Sequence, residues 1–154
     1  MTTIPAFQNS NKSRVSGAGE IYIRSRTQGG FGGTFKIEID VKFDDVINEY
    51  PIGRLSINTN LSDSQNGIYK SENIEIITMH GKHNATAFLS GRINDELANF
   101  KGCKFWLMIA NNSEGNPINQ TPDVVSFTIV DNKGDVMAYG TGPVKSGDIK
   151  VSLN

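Results

Sequence analysis

Between Thr34 and Phe43 the chain alternates without a break. Phe35, Ile37, Ile39, Val41 and Phe43 share one parity, and Lys36, Glu38, Asp40 and Lys42 share the other. Alternation sustained over ten residues predicts a half-buried strand, with one face on a core and one in water. A helix would scatter the same apolar residues around its circumference. Similar runs recur at Glu20–Arg24, Arg54–Asn58, Asn73–Met79, Ala85–Gly91, Cys103–Ala110, Val124–Val130, Val136–Tyr139 and Ile149–Leu153. Turn-forming clusters separate them: Gln28-Gly29-Gly30, Pro51-Ile52-Gly53, Gln65-Asn66-Gly67, Asp131-Asn132-Lys133-Gly134 and Lys145-Ser146-Gly147-Asp148. No stretch keeps a helical stripe, and the best helical prospect is a single turn near Asn94–Phe100. The pattern predicts an all-β fold: a single antiparallel β-sandwich or closed barrel of about nine short strands. Residues 1–16 read as an N-terminal extended arm and residues 17–154 as the β domain.

The run Cys103-Lys104-Phe105-Trp106-Leu107-Met108-Ile109 is apolar on both parities after Lys104, so both its faces are expected to meet protein. Cys103 shares a parity with Phe105, Leu107 and Ile109, which reads as a buried thiol acting as a small hydrophobe. Asp131-Asn132-Lys133-Gly134 joins two good strands, with Gly134 suited to a left-handed conformation. The expected inward set is Phe35, Ile37, Ile39, Val41, Phe105, Leu107, Ile109, Phe127 and Ile129.

Composition narrows the function. With 15 Lys and Arg against 16 Asp and Glu, the chain lacks the charge excess that a nucleic-acid-binding face requires. Apolar residues at 37% are too many for general disorder, yet no run approaches the roughly 18 needed for a helical membrane span. A single cysteine excludes an internal disulfide and a cysteine-based zinc site. The first ten residues lack the basic and apolar regions of a secretory signal, so the expectation is a cytoplasmic protein or one exported by a signal-less route.

Four segments taken together carry a resemblance. They are Gly17-Ala18-Gly19-Glu20-Ile21, Gly33-Thr34-Phe35-Lys36-Ile37, His83-Asn84-Ala85-Thr86-Ala87-Phe88, and the pair Phe105–Ala110 with Asp123–Ile129. In this order, across roughly residues 17 to 153, the chain resembles the post-COAP type of small bacterial β-domain found at the C-termini of exported surface proteins. The resemblance implies an all-β fold without assigned chemistry, and it brings no catalytic residues to carry over.

Each candidate site competes with a plainer reading. His80 and His83 have metal-ligand chemistry, but they flank a Gly81-Lys82 turn without a third histidine. Asp44, Asp45 and Glu49, with Asp63 recruited from elsewhere, could offer oxygens to calcium, but their spacing fits no calcium loop and a polar loop is preferred. Glu38 and Asp40 share a strand face about 6–7 Å apart, a separation used in glycoside hydrolysis. Lys36 and Lys42 flank them, which suits a solvated strand face better. Trp106 with Tyr22, Tyr50, Tyr69 and Tyr139 could present a platform for sugar rings, although Trp106 sits in the most apolar strand and is expected in the core. Gly29-Gly30-Phe31-Gly32-Gly33 precedes a strand, not a helix, so it reads as a turn or a close backbone approach and not as a phosphate cradle.

The arm holds the remaining candidates, Ile4 and Phe7, with Pro5 stiffening an extended path between them. Such a segment suits addition along the edge of a neighbour's sheet. The sequence therefore reads as a non-enzymatic structural subunit without metal or cofactor. It would self-assemble into, or decorate, a larger protein assembly such as a filament, shell or appendage, with the arm touching a neighbour. The rival is a surface-binding module that recognises a glycan or host protein through the aromatic residues and the loop Asn111–Pro122.

Overall fold

The strict alternation of Thr34–Phe43 becomes one wall of a barrel. The computed structural model describes residues 12–23, 32–44, 46–81, 84–112 and 121–153. They form eight strands: β1 (Lys12–Ile23), β2 (Gly33–Asp44), β3 (Ile52–Leu61), β4 (Ile68–His80), β5 (Thr86–Asp95), β6 (Cys103–Ala110), β7 (Val124–Val130) and β8 (Val136–Leu153). Each strand pairs antiparallel with the next and β8 returns to β1, which closes the barrel. Of the two architectures the alternation allows, the closed barrel is the one formed.

All nine side chains expected to face inward do so, each at most 4% exposed. They fill the barrel axis with side chains: Phe35 and Phe127 meet edge to face, and Phe105 is buried in the same core, as is Tyr69 of β4. Removing each large side chain from water contributes roughly 1.5–3 kcal/mol. Cys103 is buried as expected, with its Sγ 3.5 Å from the Met137 sulfur. The hairpin between β7 and β8 follows its turn chemistry. Asp131 Oδ1 accepts the Lys133 and Asp135 N–H groups at 2.8 and 2.9 Å, and Gly134 takes φ +89°.

Pairing is uneven around the barrel. β1, β2 and β3 pair along almost their whole length, whereas β3 meets β4 only over Ser56–Asn58 and Ile68–Lys70. Just above, the Leu55 N–H turns to the Ser71 hydroxyl at 2.9 Å, and bulges at Glu72 and Glu75 bend β4 away. The two strands part there and leave a cleft lined by Tyr50, Ile52, Gly53, Glu72, Asn73 and Glu75.

Three expectations need correction. The strand count among the described residues is eight, because Val136–Tyr139 and Ile149–Leu153 belong to one long strand. The intervening Lys145-Ser146-Gly147-Asp148, which has turn chemistry, is a bulge: the register steps from Glu20 opposite Ser146 to Ile21 opposite Val144. Gly147 has φ +92°, and a Cβ there would lie 2.2 Å from the Ala18 carbonyl oxygen, so the glycine serves close strand approach instead of reversal. The barrel also begins earlier than expected. Residues 12–16, read as arm, pair with β2, and 13–16 pair with β8 as well; Ser13 and Val15 point inward. One valine in a polar run shows no alternation when a serine takes the next inward position. Residues 1–11, with Ile4 and Phe7, lie outside the described residues. At Asn94–Phe100 there is no helical turn. β5 runs to Asp95, whose carboxylate accepts the Phe100 N–H at 3.1 Å, and Ala98 takes φ +57°.

Candidate binding face

The outer surface of the barrel is divided by chemistry. On β2 the outward row is Lys36, Glu38, Asp40 and Lys42, all exposed. On β4 to β8 the register assembles something different. One row across the strands reads Ile76, Ser90, Trp106, Thr128, Tyr139, and the next reads Thr78, Phe88, Met108, Ser126, Thr141. A third reads His80, Thr86, Ala110, Val124, Pro143. None of these positions carries an Asp, Glu, Lys or Arg.

Trp106 lies at the centre of the middle strand and is 48% exposed, with Ile76 at 52%, Phe88 at 39%, Met108 at 40% and Tyr139 at 42% around it. This overturns the expectation that Trp106 packs in the core and that both faces of its strand meet protein. Phe105, Leu107 and Ile109 satisfy the core, while Trp106 and Met108 alternate outward to solvent. Scattered exposed apolar residues are ordinary, whereas here five adjoin on one uncharged face. Between the large side chains sit small hydroxyls. Ser90 is only 6% exposed, walled in by its cross-strand neighbours Ile76 and Trp106. Ser126 and Thr141 share a hydrogen bond of 2.7 Å in which either oxygen can donate. The result is a shallow groove of about 420 Å³ bordered by Ile76, Phe88, Trp106 and Met108, with Ser90, Ser126 and Thr128 in its floor.

Charge returns at the margin. Glu75 lies 3.5 Å from both Arg92 and Lys104, and the Lys104 ammonium stands 6.0 Å from the centre of the Trp106 ring. One carboxylate against two cations leaves the cluster one positive charge in excess, and the Lys104 ammonium over the indole adds a cation–π contribution of about 0.5–1 kcal/mol at an exposed site.

The aromatic set considered from the sequence is only partly gathered. Trp106 and Tyr139 share the face, separated by Thr128. Tyr22 lies on β1 beneath the Lys145 ammonium at 5.3 Å, Tyr50 is exposed in the turn after β2, and Tyr69 is in the core. Phe88, Ile76 and Met108 complete the face, although none of them belongs to that aromatic set. The usable signal was the lost alternation of β6, where apolar residues occupy the outward parity as well.

The other candidates stay apart. Asp40 is paired with Arg14 at 3.2 Å on an exposed surface, and Glu38 stands beside it in the charged row. Asp44 accepts the Val46 N–H at 3.0 Å and so holds its own turn, Glu49 is exposed, and Asp63 takes φ +61° in the turn after β3. Asp45 and His83 lie outside the described residues, and the His80 ring meets Phe88 edge to face. Among the described residues, no three His, Cys, Asp or Glu side chains come together as a metal site. Of the Gly29–Gly33 stretch, Gly33 makes the close approach expected of it: a Cβ would lie 2.2 Å from the Asn60 carbonyl oxygen. The loop Asn111–Pro122 is anchored at its ends by the Asn112 N–H on Asp123 at 2.9 Å and by the Asn112 amide on the Pro122 carbonyl at 3.1 Å. Its residues 113–120 lie outside the described residues. Burial, with Asp131 and Asp95 nearby, raises the Cys103 thiol above its ordinary value, which opposes thiolate chemistry.

Comparison with known proteins returns no matching family model, no matching curated protein and no matching solved structure.

Proposed function

We propose that the protein is a non-enzymatic binding module whose working surface is the uncharged outer face of β4 to β8. The observation that carries this reading is Trp106, half exposed at the centre of that face while the core beneath it is complete. Exposing five large apolar side chains together works against solubility, so their retention fits a partner that covers them. The carboxylates with a suitable spacing, Glu38 and Asp40, lie in a row of alternating charge on a solvated face, which favours binding over catalysis. Membership of the post-COAP-type domains is proposed on the order of the quoted motifs, which falls on β1, β2, β5, β6 and β7 in turn. The test is to probe arrays of glycans and extended peptides with the wild type and Trp106→Ser. Binding lost in the variant at unchanged melting temperature is expected. Equal binding by both proteins would remove the face from consideration.

A second reading, the self-assembling structural subunit, is favoured by the parting of β3 and β4. From Asn73 to Met79, β4 is paired with β5 on one side apart from the bulge at Glu75, and among the described residues no strand pairs with its other side. Such an edge can accept an extended segment, and Ile4 and Phe7 would supply the apolar anchors. The bulges at Glu72 and Glu75 interrupt the edge and limit addition to a short stretch, so this reading stands second.

A further inference from the structure

We infer that the ligand of the uncharged face is a neutral glycan chain, an inference that rests on the binding-module reading above. Three observations favour this occupant over others. The first is size. Five strands at about 4.8 Å and three rows at about 6.8 Å give a face spanning roughly 19 by 14 Å between outer positions. That is a few hundred Å², well below the roughly 800 Å² per partner of a stable protein interface. A second copy packed face to face would be held too weakly.

The second observation is the pairing of the strands. β5, β6 and β7 are paired on both sides, so the centre of the face around Trp106 offers no open backbone groups, and the open edge of β4 at its border is interrupted by the bulges at Glu72 and Glu75. An extended peptide binds a sheet mainly through such groups at an edge, and here it would have only side chains to hold.

The third observation is the chemistry. A sugar ring has a face of C–H groups that lies flat on an aromatic ring, whose surface is negative, and a rim of hydroxyls that both donate and accept. The face offers both in register. Trp106 and Tyr139 stand two strands apart, about 10 Å by strand spacing, with Thr128 between them. Phe88 borders the groove from the neighbouring row, and the Ser126–Thr141 hydroxyl pair can reverse its donor to suit a sugar hydroxyl. The three rows hold no Lys or Arg for a sulfated or carboxylated chain, and Arg92 and Lys104 stand outside them at the margin, both on Glu75. That selects an uncharged polymer.

Trp106 is the single tryptophan of the chain, so its emission reports the site directly. The experiment titrates the full chain with neutral oligosaccharides of glucose, xylose, mannose and N-acetylglucosamine, with polygalacturonate and a sulfated glycan as charged counterparts. Affinity electrophoresis in gels containing the matching polysaccharides gives a second readout. At least one neutral chain should shift Trp106 emission to the blue and retard the protein, and the charged chains should do neither. Tyr139→Ala should weaken the fluorescence titration tenfold or more, and Trp106→Ala should abolish retardation with unchanged circular dichroism. Retardation that survives Trp106→Ala overturns the inference. If extended apolar peptides move the emission and no neutral glycan does, the glycan is wrong while the binding face stands. If neither class moves it, both readings fall.

Discussion

Phe35 of β2 and Phe127 of β7 meet edge to face inside the barrel, their ring centroids 4.7 Å apart and their planes at 64°. Each is at most 2% exposed, and the contact ties together strands that lie far apart in the pairing order. Truncating either ring to alanine should cost about 3–5 kcal/mol in a urea melt, from lost burial and the cavity left behind. The double variant should show a coupling of roughly 0.5–1.5 kcal/mol. A single-variant loss below about 1 kcal/mol would mean that the ring is not in a packed core.

The closing seam between β1 and β8 depends on glycine. At Gly17, φ is +139° and a Cβ would lie 2.1 Å from the Asp148 carbonyl oxygen; at Gly147 the corresponding contact is 2.2 Å to Ala18. Neither backbone oxygen can move without breaking the seam. Gly17→Ala and Gly147→Ala should each destabilise by roughly 1–3 kcal/mol or more. Gly67→Ala meets nothing within 4 Å and is expected to be neutral, or stabilising by about 0.5 kcal/mol. Thermal melts of the three variants side by side check this, and equal effects at Gly67 and Gly147 would contradict the seam geometry.

Tyr69 links the core to pH. Its hydroxyl donates to the Gln65 carbonyl at 2.6 Å, and burial, aided by Cys103 and Asp95, pushes its pKa up to about 12. In the unfolded chain the phenol titrates near 10. Its contribution to stability is therefore fully present below pH ~10 and is lost as pH rises towards about 12, with a ceiling on the order of 2 kcal/mol. Tyr69→Phe should cost about 1 kcal/mol near neutral pH from the lost hydrogen bond. Urea melts up to about pH 11.5 should show the wild type losing this advantage as the phenol titrates. A gap between the two proteins that stays constant with pH would show that the phenol is not held neutral.

The arm can now be cut where the barrel begins. Deleting residues 1–11 stops short of β1 and should leave far-UV circular dichroism and melting temperature unchanged. Deleting residues 1–16 also removes Val15, which is fully buried, and should destabilise the fold measurably. If Ile4 and Phe7 hold a neighbouring molecule at roughly 1.5–3 kcal/mol each, the shorter deletion should lower the mass seen by light scattering. An unchanged mass would leave the self-assembly reading without its arm.

What the sequence determined by itself is local. Alternation along Thr34–Phe43 named the inward face of β2, and parity alone placed Phe105, Leu107, Ile109, Phe127 and Ile129, because strand side chains repeat every two residues whatever the fold. Asp131 and Gly134 marked their hairpin through turn chemistry that acts within four residues. The tertiary structure decided the rest, and each case involves partners distant along the chain. Glycine serves a reversal and a close strand approach through the same missing Cβ, so Lys145–Asp148 could be read either way until β1 lay against it. Closure also needed β8 to return to β1, a pairing that parity does not encode. Trp106 is the clearest case: apolarity on both sides of β6 says that both surfaces prefer cover, but not whether the chain supplies it. The fold covers one and leaves the other open, and it assembles the open face from residues between Ile76 and Pro143 that only the strand register brings together.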